Sequence, residues 1–501
     1  MSGRSRTVLA LAAVSAGVFV AALDQTMVVT VLPSILRTLH ISATRLNDAA
    51  WIVTGYLLGY TVAMPLFGRL ADVVSRRIMW AVAVVLFMVG SLGCVLADGL
   101  STLVAARVVQ AAGGGALVPI AMAVSASLMP AGRRAFALGL VGAAAEAGGV
   151  LGPLYGATLS QHWGWHAIFL VNLPLGAALV ATGLVLIPRN ADRSLAEVGA
   201  SRSIDFAGAA LMAAALACLT IGLNGDTKPG SAAVRPLWLL GSGVAFGVFL
   251  LWERRQTEPL VQLSFFRRPA FAAANLANLA VGAALIVGMV EIPLYAFSLL
   301  RVSEISGGLL LMRLTVMIPI GAIAGGWLAD RIGYRATGVA GFIFTGVGYL
   351  LISLWPDHPS NALMTFDLML TGLGFGLVIA PISATVIASA GERWMATSSA
   401  LVTVMRMVGM MVGLSALSSW GIRRFNTLMA GHPIPLRAGG MSDSQYKALT
   451  DAYTQATDFA LNAVYSEFFL TASIIAFSAI VPALFFLRRQ PGAAHVPFLP
   501  R

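Results

Sequence analysis

The chain has little charge for its length. Only 11% of its 501 residues are Asp, Glu, Lys or Arg, whereas 58% are hydrophobic and the mean hydropathy is +0.85. Soluble domains carry about 25% charged residues, so the composition excludes a soluble enzyme, a disordered regulator and a secreted disulfide scaffold. A helix that spans a bilayer needs about 20 apolar residues, and runs of that length recur throughout. The sequence therefore predicts a polytopic membrane protein.

Cysteine, lysine and histidine are also scarce. Cys94 and Cys218 lie inside apolar runs and form no disulfide framework. Lys228 and Lys447 are the only lysines, so there is no GxxxxGK[ST] phosphate loop and we expect no ATP hydrolysis. The six histidines do not cluster and lie outside the apolar runs, except for His166 at the very start of one, so no metal site and no cofactor are predicted. No Ser/His or Cys/His pair falls within an apolar run, so an enzyme is not expected.

Fourteen apolar runs predict fourteen transmembrane helices. We expect residues 1–187 to form an N-terminal six-helix bundle, 188–268 a linker with two inserted helices, and 269–501 a C-terminal six-helix bundle with an external segment at 423–462. The predicted spans are 8–36, 49–72, 77–97, 101–128, 134–160, 165–187, 204–223, 235–252, 270–299, 305–329, 336–355, 361–389, 395–422 and 463–487.

The basic residues predict the orientation. The formal net charge is +11, and most of the 32 lysines and arginines fall on the side of the predicted spans that carries both termini. Cytoplasmic loops are enriched in Lys and Arg, so we expect both termini in the cytoplasm. This distribution accounts for the net charge without a nucleic-acid partner.

A short repeat predicts two related halves. Gly68-Arg-Leu-Ala-Asp72 at the end of the second span is repeated as Gly326-Trp-Leu-Ala-Asp330 at the end of the tenth. Parallel repeats of this kind are typical of transporters that hold their substrate between the two halves.

Several charged residues fall inside apolar runs. A charge at mid-bilayer costs about 2.5–3.5 kcal/mol on insertion scales, so such side chains normally face the bundle interior, where they pair or titrate. Asp24 and Glu146 lie deepest, and Arg406 and Arg107 are the expected counter-charges; the alternative is a permanent structural ion pair. We expect Gln25, Glu291 and Met405 to line a substrate cavity. For Arg313 and Asp367, nearer span ends, we expect snorkelling or hydrogen bonds to loops.

Glu146 belongs to a stripe of small residues. Gly142, Gly149, Pro153 and Gly156 share its helix face at spacings of three and four residues, and small residues allow close helix approach. The Glu146 carboxyl group is therefore expected in a packed interface, where burial favours the protonated form.

The external segment contains a second pattern. Ser442 and Gln445 have capping-box spacing, and apolar residues then recur every three or four positions. We expect a short helix lying on the outer surface; a role in guiding the substrate is the alternative.

Five segments carry motifs that resemble those of a known family, namely Leu23-Asp24-Gln-Thr26, Gly68 to Arg77, Arg107-Val-Val-Gln110-Ala-Ala-Gly113, Gly148-Gly-Val-Leu-Gly152-Pro153-Leu-Tyr-Gly156 and Arg406-Met-Val-Gly-Met. They resemble the motifs of the major facilitator superfamily, and in particular of its fourteen-span drug:proton antiporter branch. A closer resemblance is to the mycobacterial-type triacylglyceride and drug exporter subgroup, which works with a periplasmic lipoprotein.

The resemblance implies a major facilitator fold and a proton-coupled exporter of drugs or lipids in the bacterial inner membrane. Its partners would be protons, the bilayer, a lipophilic substrate and a periplasmic lipoprotein. Asp24, Glu146, Arg406 and Arg107 would couple protons, whereas Gly68, Asp72, Arg76, Asp330, Gly152 and Pro153 would control the conformational change. A nutrient importer of the same fold, a non-transporting membrane scaffold and a membrane-embedded enzyme are the alternatives from other classes.

Overall fold

The protein is all-helical in a computed structural model that describes residues 3–39, 41, 49–73, 75–129, 134–188, 205–223, 231–256, 259–390, 395–437 and 441–486, a part of the chain in which no strand occurs. Thirteen helices in this part are long and apolar enough to cross a membrane. The helix Arg134–Trp163 falls outside those thirteen, and it is the helix that carries Glu146 and its glycine-rich stripe. The predicted polytopic, all-α architecture is confirmed.

Counted with that helix, fourteen long helical elements follow one another in the order of the predicted spans. Three of them are interrupted by a single residue, at Val171, Val316 and Ala479, and a 3-10 helix at Leu263–Arg267 precedes the ninth. The elements are α1 (Gly3–Thr38), α2 (Trp51–Val73), α3 (Arg76–Val95), α4 (Leu100–Leu128), α5 (Arg134–Trp163), α6 (Ala167–Leu170 and Asn172–Leu186), α7 (Phe206–Leu223), α8 (Ser231–Glu253), α9 (Pro269–Ser298), α10 (Glu304–Thr315 and Met317–Ile332), α11 (Tyr334–Ser353), α12 (Asn361–Ala390), α13 (Met395–Met429) and α14 (Asp443–Ser478 and Ile480–Ala483).

The same helix crossing occurs in both halves of the chain. In the first half α5 packs along α1, and a Cβ atom placed on Gly152 would lie 2.7 Å from the carbonyl oxygen of Leu23. In the second half α13 packs along α9, and a Cβ atom on Gly413 would lie 2.9 Å from the carbonyl oxygen of Ala283. Glycine is needed at both points because the two backbones are nearly in contact.

The inserted helices α7 and α8 pack on each other, and α7 also contacts α2 and α13. One face of α8 remains uncovered, with 64% of Leu237, 64% of Leu240 and 58% of Val244 exposed. An exposed apolar face of this length is suited to contact with acyl chains.

The predicted helix of the external segment begins where expected. Ser442 caps α14, and its side chain accepts a hydrogen bond from the Gln445 backbone N–H. The Gln445 side-chain oxygen in turn accepts a hydrogen bond from the Ser442 backbone N–H, which confirms the capping box. The expectation of a short separate helix on the surface is wrong, however. The helix runs unbroken from Asp443 to Ser478 because neither glycine nor proline interrupts that stretch, so the surface helix is the first part of the last spanning helix.

We predict that Gly152→Ala lowers the stability of the protein by about 1–3 kcal/mol, the usual cost of overpacking. The added methyl group would meet the Leu23 carbonyl oxygen and the Thr26 hydroxyl, so α1 and α5 would have to separate. Thermal unfolding of the detergent-solubilised protein measures the effect. Gly149→Ala on the same helix is the matched control, since nothing lies within 4 Å of a Cβ atom there; equal melting temperatures for the two variants would refute the packing argument.

Candidate functional site

A cavity of about 170 Å³ lies between the two halves of the chain. Helices α1, α2, α4 and α5 line it from the first half, and α9, α10 and α13 line it from the second. Most of the lining is apolar and includes four methionines, Met122, Met289, Met407 and Met410. The polar lining groups are Gln25, Thr26, Tyr60, Glu146, Thr315, Thr403 and Arg406.

An ion pair spans this cavity. The Arg406 Nη2 atom on α13 lies 3.4 Å from the Glu146 Oε1 atom on α5, so the pair joins the two halves of the chain. The Arg406 side chain is 21% exposed and that of Glu146 is 35% exposed, because both groups border the open space. Gly142 and Gly149 flank Glu146 in the lining, and their lack of side chains leaves that space free.

Asp24 is held in a second, closed network. Its side chain is fully buried, and the Arg107 Nη1 atom donates to the Asp24 Oδ2 atom at 2.7 Å. The Asp24 Oδ1 atom accepts hydrogen bonds from the side-chain amides of Asn172 at 2.7 Å and Gln110 at 2.9 Å. Ser91 accepts from the same two amides, so the network ties α1, α3, α4 and α6 together.

Neither Asp24 nor Arg107 lines the cavity, although Gln25, the next residue, does. Successive residues of an α-helix point about 100° apart, so α1 directs Gln25 between the halves and Asp24 into the first bundle. The guanidinium group of Arg107 also lies 4.0 Å from the centre of the Tyr56 ring. Glu146 therefore faces the central opening, whereas Asp24 occupies a buried pair inside one bundle.

Two other residues expected in the cavity lie outside its lining. Glu291 is on α9 two residues beyond the cavity-lining Met289 and is not part of the lining. It is buried and has no hydrogen bond or ion pair with any residue that the structure describes. Met405 precedes Arg406 but is not part of the lining, whereas Met407 lines the cavity and accepts a hydrogen bond from Gln25.

Arg313 and Asp367 make hydrogen bonds near helix ends. The Arg313 Nη1 atom donates to Asn361 Oδ1 and Thr365 Oγ1, both at 2.7 Å. Asp367 is buried and accepts a hydrogen bond of 2.7 Å from the Trp355 indole. These contacts agree with the hydrogen bonding expected for both residues.

The repeated loop motif is seen in part. Arg76 is buried and donates to the carbonyl oxygen of Ala123 at 3.3 Å. The side chains of Asp72 and Asp330 lie outside the described residues, so their roles in gating, with Gly68, stay predictions.

Sequence reasoning missed a second ion pair between the halves. At the end of the bundle opposite the start of α1, here called the distal end, Arg37 Nη2 of α1 lies 3.2 Å from Glu304 Oε1 of α10, and Ser34 also donates to that oxygen. The Glu304 side chain is only 9% exposed. Glu304 stands just before a predicted span and reads as a loop residue, so no local pattern identifies it.

The two halves close at this distal end. Helix α5 packs against the first segment of α10, where a Cβ atom on Gly308 would lie 2.9 Å from the Pro153 carbonyl oxygen. Among the described residues, α5 has no comparable packing against the second segment, Met317–Ile332. The α5–α10 contact between the halves is therefore concentrated at the distal end.

Other members of the Asp24 network were also missed, although a signal was present. Gln110 follows Arg107 by three residues and so shares its helix face. Asn172 and Ser91 come from other helices, and only the fold brings them to Asp24.

Comparison with known proteins identifies the family. A family model described as Major Facilitator Superfamily matches residues 14–414. A triacylglyceride transporter of Mycobacteroides abscessus is 38% identical over 468 residues, which cover 89% of each chain. One of Mycobacterium tuberculosis is 36% identical over 504 residues, covering 96% of this chain and 95% of the relative.

Solved structures show the same fold. A bacterial homologue of the human lysosomal transporter Spinster, inward-facing and unoccupied, superimposes with a TM-score of 0.62 at 17% identity, covering 96% of this chain and 98% of the other. The human organic anion transporter MFSD10 gives a TM-score of 0.56 at 16% identity, covering 94% and 99%. The resemblance found in the motifs is confirmed, and the chain belongs to the major facilitator superfamily.

Proposed function

We propose that this protein is a proton-coupled exporter that moves neutral lipids of the triacylglyceride class across the bacterial inner membrane by alternating access. The observation that carries the proposal is the Glu146–Arg406 ion pair, which joins the two halves across an apolar cavity. The relatives named triacylglyceride transporters support the substrate class. In this function the chain is a transporter and not an enzyme.

The lining of the cavity favours a lipophilic substrate. Apart from Glu146 and Arg406, no residue of the lining is charged, so an apolar group gains about 25 cal/mol for each Å² removed from water. At about 170 Å³ the cavity is smaller than the roughly 300–1,000 Å³ of typical ligand pockets. It would hold part of a large lipid in this conformation and widen when the halves separate.

Amphipathic drugs are the second candidate substrate class. Gln25, Tyr60 and Thr315 place hydrogen-bonding groups among the apolar lining residues, and such groups orient a molecule that is partly polar. A triacylglyceride offers only ester oxygens to them. Transport of both classes through one cavity would be multidrug efflux in addition to lipid transport.

Glu146 is the principal proton-coupling group in this proposal. Protonation would remove the charge that attracts Arg406 and would free the two halves to separate, and deprotonation would restore the pair. Each proton that moves down 100 mV supplies about 2.3 kcal/mol, which corresponds to a roughly fiftyfold gradient of a neutral solute.

Asp24 is the second group. Its carboxylate accepts hydrogen bonds from Arg107, Gln110 and Asn172 in a closed network that separates it from the cavity. A proton would therefore reach Asp24 only when the first bundle opens. Protonation there would leave the buried Arg107 without a counter-charge, and this would favour a different packing of α1 and α4.

Alternating access requires one closed end at a time. Arg37–Glu304 and the α5–α10 contact close the distal end. With both termini in the cytoplasm this conformation is inward-facing. The loop motifs with Gly68, Asp72, Arg76 and Asp330 would close the other end, and the Gly152–Pro153 region of α5 would be the point about which the halves repack.

The distal end also offers a place for a periplasmic lipoprotein. Helix α13 has 35 residues and the first segment of α14 has 36, or about 53 and 54 Å at 1.5 Å per residue, against a hydrocarbon core of about 30 Å. Their excess length projects beyond the membrane, and the connection between them exposes 71% of Ile434 and 81% of Leu436. Such apolar side chains suit a partner that accepts lipid.

We predict that Glu146→Gln abolishes export, because a neutral amide neither exchanges a proton nor holds Arg406 by charge. Dye efflux and the triacylglyceride content of the cell envelope, measured in a strain that lacks the native gene, test it. Glu467→Gln is the matched control: its carboxylate also pairs with an arginine, Arg424, but within one half. Normal export by Glu146→Gln would refute the proposal, and substrate uptake into right-side-out vesicles would instead indicate a nutrient importer.

We predict that Asp24→Asn also stops export and, unlike Glu146→Gln, lowers stability by about 3–5 kcal/mol, because it leaves Arg107 charged and unpaired in the interior. The double variant Asp24→Asn/Arg107→Gln should regain most of that stability without regaining export. Thermal unfolding and the export assay are compared for both. Export by the stable double variant would show that the network is purely structural.

We predict that Glu304→Gln raises the population with an open distal end by up to about fivefold, since a partly exposed ion pair contributes at most about 1 kcal/mol. The side chains involved are 62% and 9% exposed. Distances between spin labels at the distal ends of α1 and α10, measured by electron paramagnetic resonance, report the population with an open distal end. Glu467→Gln should leave the distances unchanged, and an equal response of both variants would contradict a gating role.

A further inference from the structure

Most arginines described near the distal end of the bundle have an acidic partner, and Arg313 instead donates to the side chains of Asn361 and Thr365. Basic residues are normally depleted on the side opposite the cytoplasm, so each one that occurs there needs a reason. Ion pairs provide it for four of them, namely Arg37 with Glu304, Arg301 with Asp458, Arg424 with Glu467 and Arg437 with Asp443.

Arg235 and Arg423 differ from those four. They lie on α8 and α13, which both pack against α7, and neither forms an ion pair within the described part of the chain. Arg235 donates from Nε and Nη2 to the carbonyl oxygens of Gly222 and Leu223 at 3.3 and 3.5 Å. Arg423 donates from Nη1 to Ser419 at 2.5 Å. The remaining terminal nitrogens, Arg235 Nη1 and Arg423 Nη2, donate no hydrogen bond to a described residue and are available to a ligand.

Neighbouring tryptophans indicate that the two arginines lie at the level of lipid headgroups. Arg235 stands one helical turn from Trp238, which is 40% exposed, and Arg423 stands one turn from Trp420. Tryptophan prefers this interfacial level. Deeper along α8, Leu237 and Leu240 are each 64% exposed, as expected of residues that contact acyl chains.

A purely structural role accounts for Arg235 but not for Arg423. Arg235 caps the carbonyl end of α7, a common use of arginine. Arg423 bonds only to a serine of its own helix, so its other N–H groups have no partner among the described residues.

We infer that Arg235 and Arg423 bind the phosphate of an anionic phospholipid at the distal face, between the inserted helices and α13. Arginine donates paired hydrogen bonds to phosphate oxygens, and basic clefts between transmembrane helices hold lipid headgroups. The site is separate from the central cavity, whose lining contains neither arginine. A free phosphate shares the headgroup chemistry but gains nothing from Trp238 or Leu237.

Native mass spectrometry of the purified full chain tests this site with phosphatidylglycerol, phosphatidylcholine and inorganic phosphate as probes. The wild type should retain phosphatidylglycerol in preference to phosphatidylcholine. Each basic residue contributes about fivefold to such binding, so Arg235→Gln/Arg423→Gln should weaken it about thirtyfold. Arg235→Lys/Arg423→Lys should keep most of the affinity, and Arg424→Gln, whose arginine is already paired, should change it less than twofold.

Unchanged phosphatidylglycerol binding in the double glutamine variant, or equal retention of phosphatidylcholine by the wild type, would overturn the inference. Arginine-dependent stabilisation by inorganic phosphate without selective lipid binding would assign the site to a soluble anion and also overturn it. Should the double variant not fold, Arg423→Gln alone decides, because it removes one hydrogen bond within a single helix; a loss of about fivefold is expected.

Discussion

A carboxylate inside a membrane protein needs either a counter-charge or a proton, and Glu146 takes its counter-charge from the opposite half of the chain. The distance of 3.4 Å to Arg406 is long for an ion pair, and both groups border open space. The attraction is therefore weaker than that of a dry, tightly bonded pair, and it depends on the relative position of α5 and α13. The charge of the Glu146 carboxylate is in this way linked to the relative position of the two six-helix bundles.

The two halves share a scaffold but not its charges. At the crossings Gly152 meets the carbonyl oxygen of Leu23 and Gly413 meets that of Ala283; the next residues are Asp24 on α1 and Ala284 on α9. In the first half four helices meet at the Asp24 carboxylate. In the second half Tyr349 donates to the backbone carbonyl of Ala284 at 2.8 Å, and no charge is needed. Removal of a charge can therefore alter the packing inside the first bundle, whereas the second bundle has no equivalent response at that position.

Composition and pattern were sufficient to predict the helices, their order and the family, because a span is a local property of about 20 residues. The side-chain directions were harder to predict. Asp24 and Gln25 are neighbours in sequence, yet one enters a closed network and the other the cavity. The choice depends on the rotation of α1 against α5, which is set by close contacts such as that of Gly152. Arg37 and Glu304 are 267 residues apart, and neither residue's surroundings in the sequence indicate the other.

The unbroken course of α14 has a mechanical consequence. From the Ser442 cap to Phe469 in the core of the second bundle the chain is one continuous helix, a rod of about 40 Å. A hinge or loop between these points would absorb sideways displacement of the tip. Because there is none, a force applied by a bound molecule to the outer end of α14 is transmitted along the helix. It displaces the part of α14 that carries the packed aromatic rings of Tyr465, Phe468 and Phe469.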